Sequence, residues 1–162
     1  MIKIVLLDFS FTLCFPKTKE TVASLNGLYA DIVKKNPGAN PLEDFIINQE
    51  LLDYLQTIKT THKIYIFTAG SMHTDPAFAQ KLKPTFDGYF SSAELGMPKS
   101  FPDAYKVIAN KLNVNTNQLL FIDDQQANVQ AASIAGVNAI RYTNNNATIE
   151  LIRKQLAQSV IE

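Results

Sequence analysis

The sequence predicts an α/β protein in which helices cover both faces of a parallel, doubly wound sheet. Apolar stretches of strand length alternate with segments of helical periodicity, which is typical of parallel sheets. Several of the stretches are apolar at nearly every position, as strands buried on both faces are. Three of them end in polar side chains, which indicates a site at the carboxyl edge of the sheet.

The alternation predicts the position of each strand and helix along the chain. Five segments have strand length and are rich in apolar residues: 2–7, 63–70, 86–92, 118–124 and 137–142. Five others have helical spacing of apolar residues or helix-end signals: 48–60, 75–82, 101–113, 125–136 and 148–160. Asp75 and Pro76 suit the N-cap and first position of one helix, and Gly136 suits the end of another.

Residues 14–48 interrupt this alternation. They mix polar and apolar positions, and turn-forming residues cluster in NPGANP at 36–41. We interpret the segment as a small, mostly helical insertion within a single domain that spans residues 1–162.

Composition limits the classes of partner. The 15 basic residues balance the 15 acidic ones, so we expect neither a nucleic-acid nor a membrane partner. The single cysteine, Cys14, excludes an intrachain disulfide. The first ten residues lack the layout of a signal peptide, and no stretch approaches the ~20 apolar residues of a membrane span. We therefore expect a cytoplasmic protein.

Four features carry candidate chemistry: Asp8, Thr68 and the pair Asp123–Asp124 at strand ends, and Lys99 in a loop before a helix. Each has a simpler explanation, since the aspartates could cap helices, Thr68 could be a loop residue and Lys99 a solvated charge. The adjacent aspartates repel each other unless a cation or a donor compensates. Because parallel strands end at one edge, the four features can converge.

In this order the segments resemble the four motifs of the haloacid dehalogenase superfamily, whose members are mostly phosphatases and phosphotransferases. Its first motif, D-x-D-x-T/V after an apolar strand, stands here as DFSFT from Asp8. IYIFT with Thr68, GMPKSFP with Lys99 and LLFIDD are similar to the other three. The resemblance covers nearly the whole chain outside residues 14–48 and implies a three-layer Rossmann-like fold with a small helical cap.

The resemblance also implies roles. Asp8 would be the nucleophile that carries an aspartyl-phosphate. Mg²⁺ would be held by Asp8, the backbone carbonyl of Ser10 and Asp124, with Asp123 supporting the site through hydrogen bonds or a bound water.

The phosphoryl group would be bound by Thr68, with Ala69 beside it, and by Lys99. The lysine would neutralise charge between Asp8 and the phosphoryl group.

Position 10 departs from the family pattern. The second aspartate of the first motif usually acts as general acid and base, and a serine hydroxyl does neither near neutral pH. Ser10 can still offer its backbone carbonyl to a metal. We therefore expect substrates with poor leaving groups to turn over more slowly. The rate should fall by roughly 10²–10⁴-fold, the factor that general acid–base catalysis contributes.

Two functions stay open. The first is a Mg²⁺-dependent phosphatase or phosphotransferase that acts on a small phosphorylated molecule or on a phospho-group of a larger substrate. The second is a non-catalytic module of the same fold that binds a phospho-ligand or a protein. The small cap leaves the crevice open for a large substrate or a partner subunit, so an oligomer is possible.

Overall fold

The structure is a computed structural model that describes residues 1–158. Its seven strands are β1 (Ile4–Leu7), β2 (Cys14–Pro16), β3 (Phe45–Ile47), β4 (Lys63–Thr68), β5 (Gly88–Ser91), β6 (Leu119–Asp123) and β7 (Asn138–Arg141). Its seven α-helices are α1 (Leu25–Lys35), α2 (Gln49–Ile58), α3 (Pro76–Leu82), α4 (Ser92–Leu95), α5 (Pro102–Lys111), α6 (Gln126–Ile134) and α7 (Asn145–Gln158).

Five strands form one parallel sheet in the order β5-β4-β1-β6-β7. β1 lies at its centre, where Leu7 pairs with Ile66 on one side and with Ile122 on the other. The predicted doubly wound α/β fold is confirmed. This order makes β1 and its two neighbours, which carry the predicted site, adjacent at one edge.

The sheet separates two apolar cores. Alternate residues of β1 serve opposite faces: Val5 and Leu7 pack in one core with α2, α3 and α7, whereas Ile4 and Leu6 pack in the other with α5 and α6. Both faces are therefore covered, which explains why the strand is apolar at every position.

Residues 14–48 contain more β-structure than expected. β2 and β3 pair as a two-stranded antiparallel sheet, with Cys14 opposite Ile47, and α1 lies between them in the sequence. The prediction of a mostly helical insertion missed these strands because each has only three residues. That length is too short for an alternating pattern to show.

Other boundaries differ by a few residues. The strand predicted over 86–92 is shortened to β5, and α4 follows it directly, which the sequence did not predict. The last helix begins at Asn145 rather than 148, and residues 159 and 160 of that prediction lie outside the described residues. The predicted N-cap is confirmed, since Asp75 accepts a hydrogen bond from the backbone N–H of Ala77. Within residues 1–158, the model contains no helix of sufficient length and apolar character to cross a membrane.

Asn48 fixes the base of the insertion to the core. Its carbonyl oxygen caps α2 by accepting from the N–H of Leu51, and its amide donates to the carbonyl of Thr12 at 3.0 Å and to Asn145 at 2.8 Å. One side chain therefore joins the loop after β1, the start of α2 and the start of α7.

Candidate active site

Three neighbouring strands bring the predicted acidic and hydroxyl groups to one edge of the sheet. Asp8 follows β1, Thr68 ends β4, and Asp123 ends β6 with Asp124 next to it. Asp8, Thr68 and Asp123 are all buried, although their side chains are polar. Buried carboxylates are costly unless they are paired, so their partners define the site.

Lys99 is the partner of two of these carboxylates. Its ammonium nitrogen lies 2.5 Å from Asp8 Oδ1 and 2.8 Å from Asp123 Oδ2. The side chain is only 7% exposed, so Lys99 is not a solvated surface charge. Burial alone would lower the pKa of Lys99, but Asp8 and Asp123 raise it above the usual value, so the ammonium stays protonated.

Both carboxylate oxygens of Asp123 accept hydrogen bonds from the protein. Its Oδ1 accepts from the backbone N–H of Gln125 at 2.8 Å, so this aspartate does hold the start of the following helix. Its Oδ2 accepts from Lys99 and, at 3.0 Å, from the amide of Asn128. Asn128 was not predicted as a site residue, although it lies only five positions after Asp123.

Tyr105 holds the backbone of Lys99 through a hydrogen bond. Its hydroxyl lies 2.7 Å from the carbonyl oxygen of Lys99 and 3.1 Å from that of Asn128, and donates to them. Sequence reasoning missed Tyr105. The available signal was a tyrosine on the apolar face of α5, because a buried tyrosine hydroxyl needs a partner.

Asp8, Asp123 and Asp124 form an acidic triad that fits a divalent cation. Each offers one carboxylate oxygen, and these oxygens lie within 4.8 Å of one another. Asp124 Oδ1 is buried and has no hydrogen-bond partner among residues 1–158. Three carboxylates beside the one ammonium of Lys99 leave two negative charges, which a divalent cation would balance. Oxygen donors of this kind suit Mg²⁺.

The pKa values of Asp8 and Asp124 reflect the same imbalance. Burial raises the pKa of Asp8 to about 7; the nearby Asp123 raises it too, while Lys99 acts in the opposite direction. Burial and Asp123 likewise raise the pKa of Asp124. A bound cation would favour the ionised form of both groups.

The loop after β1 turns sharply and brings Ser10 to the site. Phe11 has φ 58°, in the left-handed region, and the N–H groups of Leu13 and Cys14 both donate to the carbonyl of Phe9. Ser10 is half-buried and lines the same cavity as Asp8. Ser10 therefore lies at the wall of the cavity, two residues after Asp8.

A cavity of about 420 Å³ opens beside Asp8 and Lys99. The predicted residues that line it are Asp8, Ser10, Thr68, Ala69 and Lys99. Thr68 Oγ1 accepts a hydrogen bond from the N–H of Gly70 at 3.3 Å, which leaves the hydroxyl proton of Thr68 free to donate. Asp123 and Asp124 are not among the lining residues.

The insertion supplies the opposite wall of this cavity, through Ala23, Ser24, Leu25 and Asn26 at the start of α1. Asn26 lies directly over Gly70, since a Cβ added at Gly70 would stand 2.0 Å from Asn26 Oδ1. None of these four residues was predicted as a site residue, because nothing in a polar segment shows which part faces the site.

Comparison with known proteins agrees with this geometry. The family model of haloacid dehalogenase-like hydrolases matches residues 4–136. The chain belongs to this family. The match includes all seven predicted site residues, from Asp8 to Asp124, together with the insertion.

Curated relatives of this haloacid dehalogenase-like hydrolase include phosphatases. An enolase-phosphatase of Methylococcus capsulatus is 34% identical over 93 residues, which are 52% of this chain and 40% of the relative. A sesquiterpene phosphatase of Aspergillus oryzae is 32% identical over 69 residues, which are 43% of this chain and 35% of the relative. The chain thus spans about two fifths of the length of the curated relatives it matches.

Solved structures share the fold of this haloacid dehalogenase-like hydrolase. A 2-haloacid dehalogenase of Pseudomonas syringae superposes with a TM-score of 0.67 at 15% identity, over 98% of this chain and 99% of that one. A family enzyme of Bacteroides thetaiotaomicron, in complex with magnesium and inorganic phosphate, gives 0.62 at 14% identity, over 88% and 95%. At these identities the likeness shows the fold alone.

In this haloacid dehalogenase-like hydrolase, Tyr105→Phe is expected to lower the free energy of unfolding by about 1–2 kcal/mol, because two buried carbonyl oxygens lose their donor. Urea denaturation measures the change. Tyr89→Phe is the control, since Tyr89 is 45% exposed and its loss of a hydroxyl should leave stability unchanged. Equal stability of Tyr105→Phe and the native chain would contradict the supporting role of Tyr105.

Proposed function

We propose that the chain is a Mg²⁺-dependent phosphatase or phosphotransferase that works through an aspartyl-phosphate on Asp8. The observation that carries the proposal is the buried contact between Asp8 and Lys99, within an acidic triad and at the wall of a cavity. The substrate would be a small phosphorylated molecule or a phospho-group on a larger one. The phosphatase relatives support this class of reaction.

The metal would be held by Asp8, Asp124 and the backbone carbonyl of Ser10. Asp123 would support it indirectly, because both of its carboxylate oxygens already accept hydrogen bonds from the protein. When bound, Mg²⁺ would offset the charge of the carboxylates and of the phosphoryl oxygens.

The protein's own groups would perform the transfer. A carboxylate oxygen of Asp8 would attack phosphorus as the bond from phosphorus to the leaving oxygen breaks. Lys99 has three N–H donors, and its contacts with Asp8 and Asp123 leave one for a phosphoryl oxygen. Thr68 would donate its hydroxyl proton to another. Such fixed donors stabilise charge without having to reorganise during the reaction.

Ser10 would make the reaction slow in both halves. The leaving oxygen needs a proton, and the water that later attacks the aspartyl-phosphate must lose one. Near neutral pH, a serine hydroxyl neither protonates the leaving oxygen nor deprotonates the water efficiently. We therefore expect good leaving groups to react faster than alcohols, and the aspartyl-phosphate to accumulate.

The alternative function, a non-catalytic binding module, is favoured by Ser10 and by the small cap. Beryllium fluoride with Mg²⁺ separates the two, since it mimics a phosphorylated aspartate. The enzyme should bind the complex and melt at a higher temperature, and Asp8→Asn should lose this shift. A native chain that binds phosphate esters but shows no shift with beryllium fluoride would favour the binding module.

The two adjacent aspartates should affect Mg²⁺ binding unequally. We expect Asp124→Asn to weaken the affinity at least about 10²-fold, because it removes a direct ligand, and Asp123→Asn only about tenfold. Isothermal titration calorimetry measures both.

Stability without metal provides the control for this pair. Asp124→Asn should raise the melting temperature, because burial disfavours the charge of Asp124. Asp123→Asn should lower it, because Lys99 loses a buried partner. Unchanged Mg²⁺ affinity in Asp124→Asn would contradict the proposed ligand set.

A further inference from the structure

The cavity carries very little charge beyond the reacting groups. Of the described residues that line it, only Asp8 and Lys99 are ionisable, and these two contact each other. The other polar side chains on the wall are neutral, and apolar side chains lie between them. The neutral polar residues are Ser10, Ser24, Asn26, Thr68, Ser92, Ser100, Gln125 and Asn128; the apolar ones are Phe11, Ala23, Leu25, Ala69, Pro98 and Ala127. Once the phosphoryl group occupies Lys99, the rest of the cavity offers hydroxyls, amides and apolar surface but no full positive charge.

A charged leaving group would therefore lose water without gaining a counter-ion. A carboxylate or a second phosphate is strongly hydrated, and its transfer to such a wall is unfavourable. The amino end of α1 lies at this wall, but its partial charge is about half an elementary charge, and solvent screens it at an exposed end. It does not replace an ammonium or a guanidinium group.

Asn26 is the wall residue best placed to contact the leaving group. It comes from the insertion, lines the cavity and stands against Gly70, two residues after Thr68. An amide offers both a donor and an acceptor, as a hydroxyl group does. The chain leaves no side chain at position 70, and this lets the amide approach the phosphate-binding loop.

We infer that the leaving group is an uncharged, hydroxyl-bearing group of the sugar or polyol type, and that Asn26 is the residue of the insertion that determines this specificity. The inference rests on the proposed function, which places the phosphoryl group at Asp8 and Lys99. The amides and hydroxyls of the wall would replace the water that the hydroxyls of the leaving group give up.

Two pairs of ligands test the charge preference. Glucose and glucuronic acid, each phosphorylated at the anomeric oxygen, differ by one CH₂OH that becomes a carboxylate; glycerol phosphate and phosphoglycerate differ in the same way. Calorimetric titration of Asp8→Asn with Mg²⁺ measures their binding without turnover. We expect the uncharged member of each pair to bind at least about tenfold more tightly. Equal or tighter binding of the carboxylates would overturn the inference.

Cyclohexyl phosphate tests the hydroxyl preference, because it has a ring of similar size without hydroxyls. It should bind at least about tenfold more weakly than the glucose ester. Binding as tight as the glucose ester would show that the wall recognises apolar surface, and would overturn this part of the inference.

Two substitutions test whether residues of the insertion determine the preference for the leaving group. Asn26→Leu should weaken the binding of the glucose ester by about tenfold and leave the binding of cyclohexyl phosphate unchanged. Ala23→Lys, at the exposed mouth, should reduce the discrimination against the carboxylates by about threefold, whereas Ala23→Gln, of similar length, should not. If neither substitution changes the ratios, Asn26 and the α1 wall do not determine specificity.

Inorganic phosphate separates failure of this inference from failure of the proposed function. If inorganic phosphate binds with Mg²⁺ but the pairs show no preference, only the inference is wrong. If inorganic phosphate does not bind to the native chain or to Asp8→Asn, the proposed phosphate site is wrong, and the inference is wrong with it.

Discussion

Replacement of Asp8 with asparagine is expected to lower the turnover of every phosphate ester at least about 10³-fold while the protein stays folded. The amide has nearly the same shape, and its oxygen can still accept from Lys99, but it is not a nucleophile that forms an acyl-phosphate. Steady-state kinetics with p-nitrophenyl phosphate measures the loss, and circular dichroism verifies the fold.

Asp103→Asn is the matched control for this loss. It makes the same chemical change at a side chain that is 71% exposed and paired with Lys106 on the surface. Turnover should stay at the native rate, because exposed pairs of this kind contribute little. Near-native turnover in a pure Asp8→Asn preparation would remove Asp8 from the nucleophilic role.

Introduction of an aspartate at position 10 is expected to have the second large effect, in the opposite direction. Ser10→Asp should raise kcat/KM for alkyl phosphates about 10²-fold relative to p-nitrophenyl phosphate, whose leaving group barely needs a proton. Ser10 lines the cavity beside Asp8, so the new carboxyl would start from a suitable position. The ratio of kcat/KM for the two substrates, with Mg²⁺ saturating, measures the effect.

Ser10→Asn separates proton transfer from size and polarity. It should leave the ratio unchanged, because an amide is neither an acid nor a base near neutral pH. If Ser10→Asp accelerates both substrates equally, or neither, then the absent acid is not what limits this protein. The binding-module hypothesis would then be favoured.

The sheet and its polar edge could be predicted because they depend on local patterns. β1 is apolar at every position and is followed by Asp8, and β6 is apolar up to Asp123, its last residue; the sequence shows both facts directly. The short strands β2 and β3 could not be predicted, since their pairing depends on the residues between them.

The contacts between the site residues could not be predicted from local sequence patterns. Lys99 resembles a surface lysine in sequence, yet it is buried between Asp8, 91 positions away, and Asp123, 24 positions away. Tyr105 beneath it and Asn26 above Gly70 are likewise placed by tertiary packing alone. The sequence predicted which groups end the strands, and the fold determines which of them meet.

The most direct test of the central claim is the mass of the protein after an acid quench. The native chain is mixed with Mg²⁺ and p-nitrophenyl phosphate, quenched, and analysed intact and as peptides. Under the proposed mechanism Ser10 would slow hydrolysis, so we expect a fraction of the chain to carry one additional phosphoryl group, located on Asp8 and absent from Asp8→Asn. Ser10→Asp should reduce that fraction. Turnover of the substrate with no phosphorylated Asp8 in any quenched sample would contradict the aspartyl-phosphate mechanism.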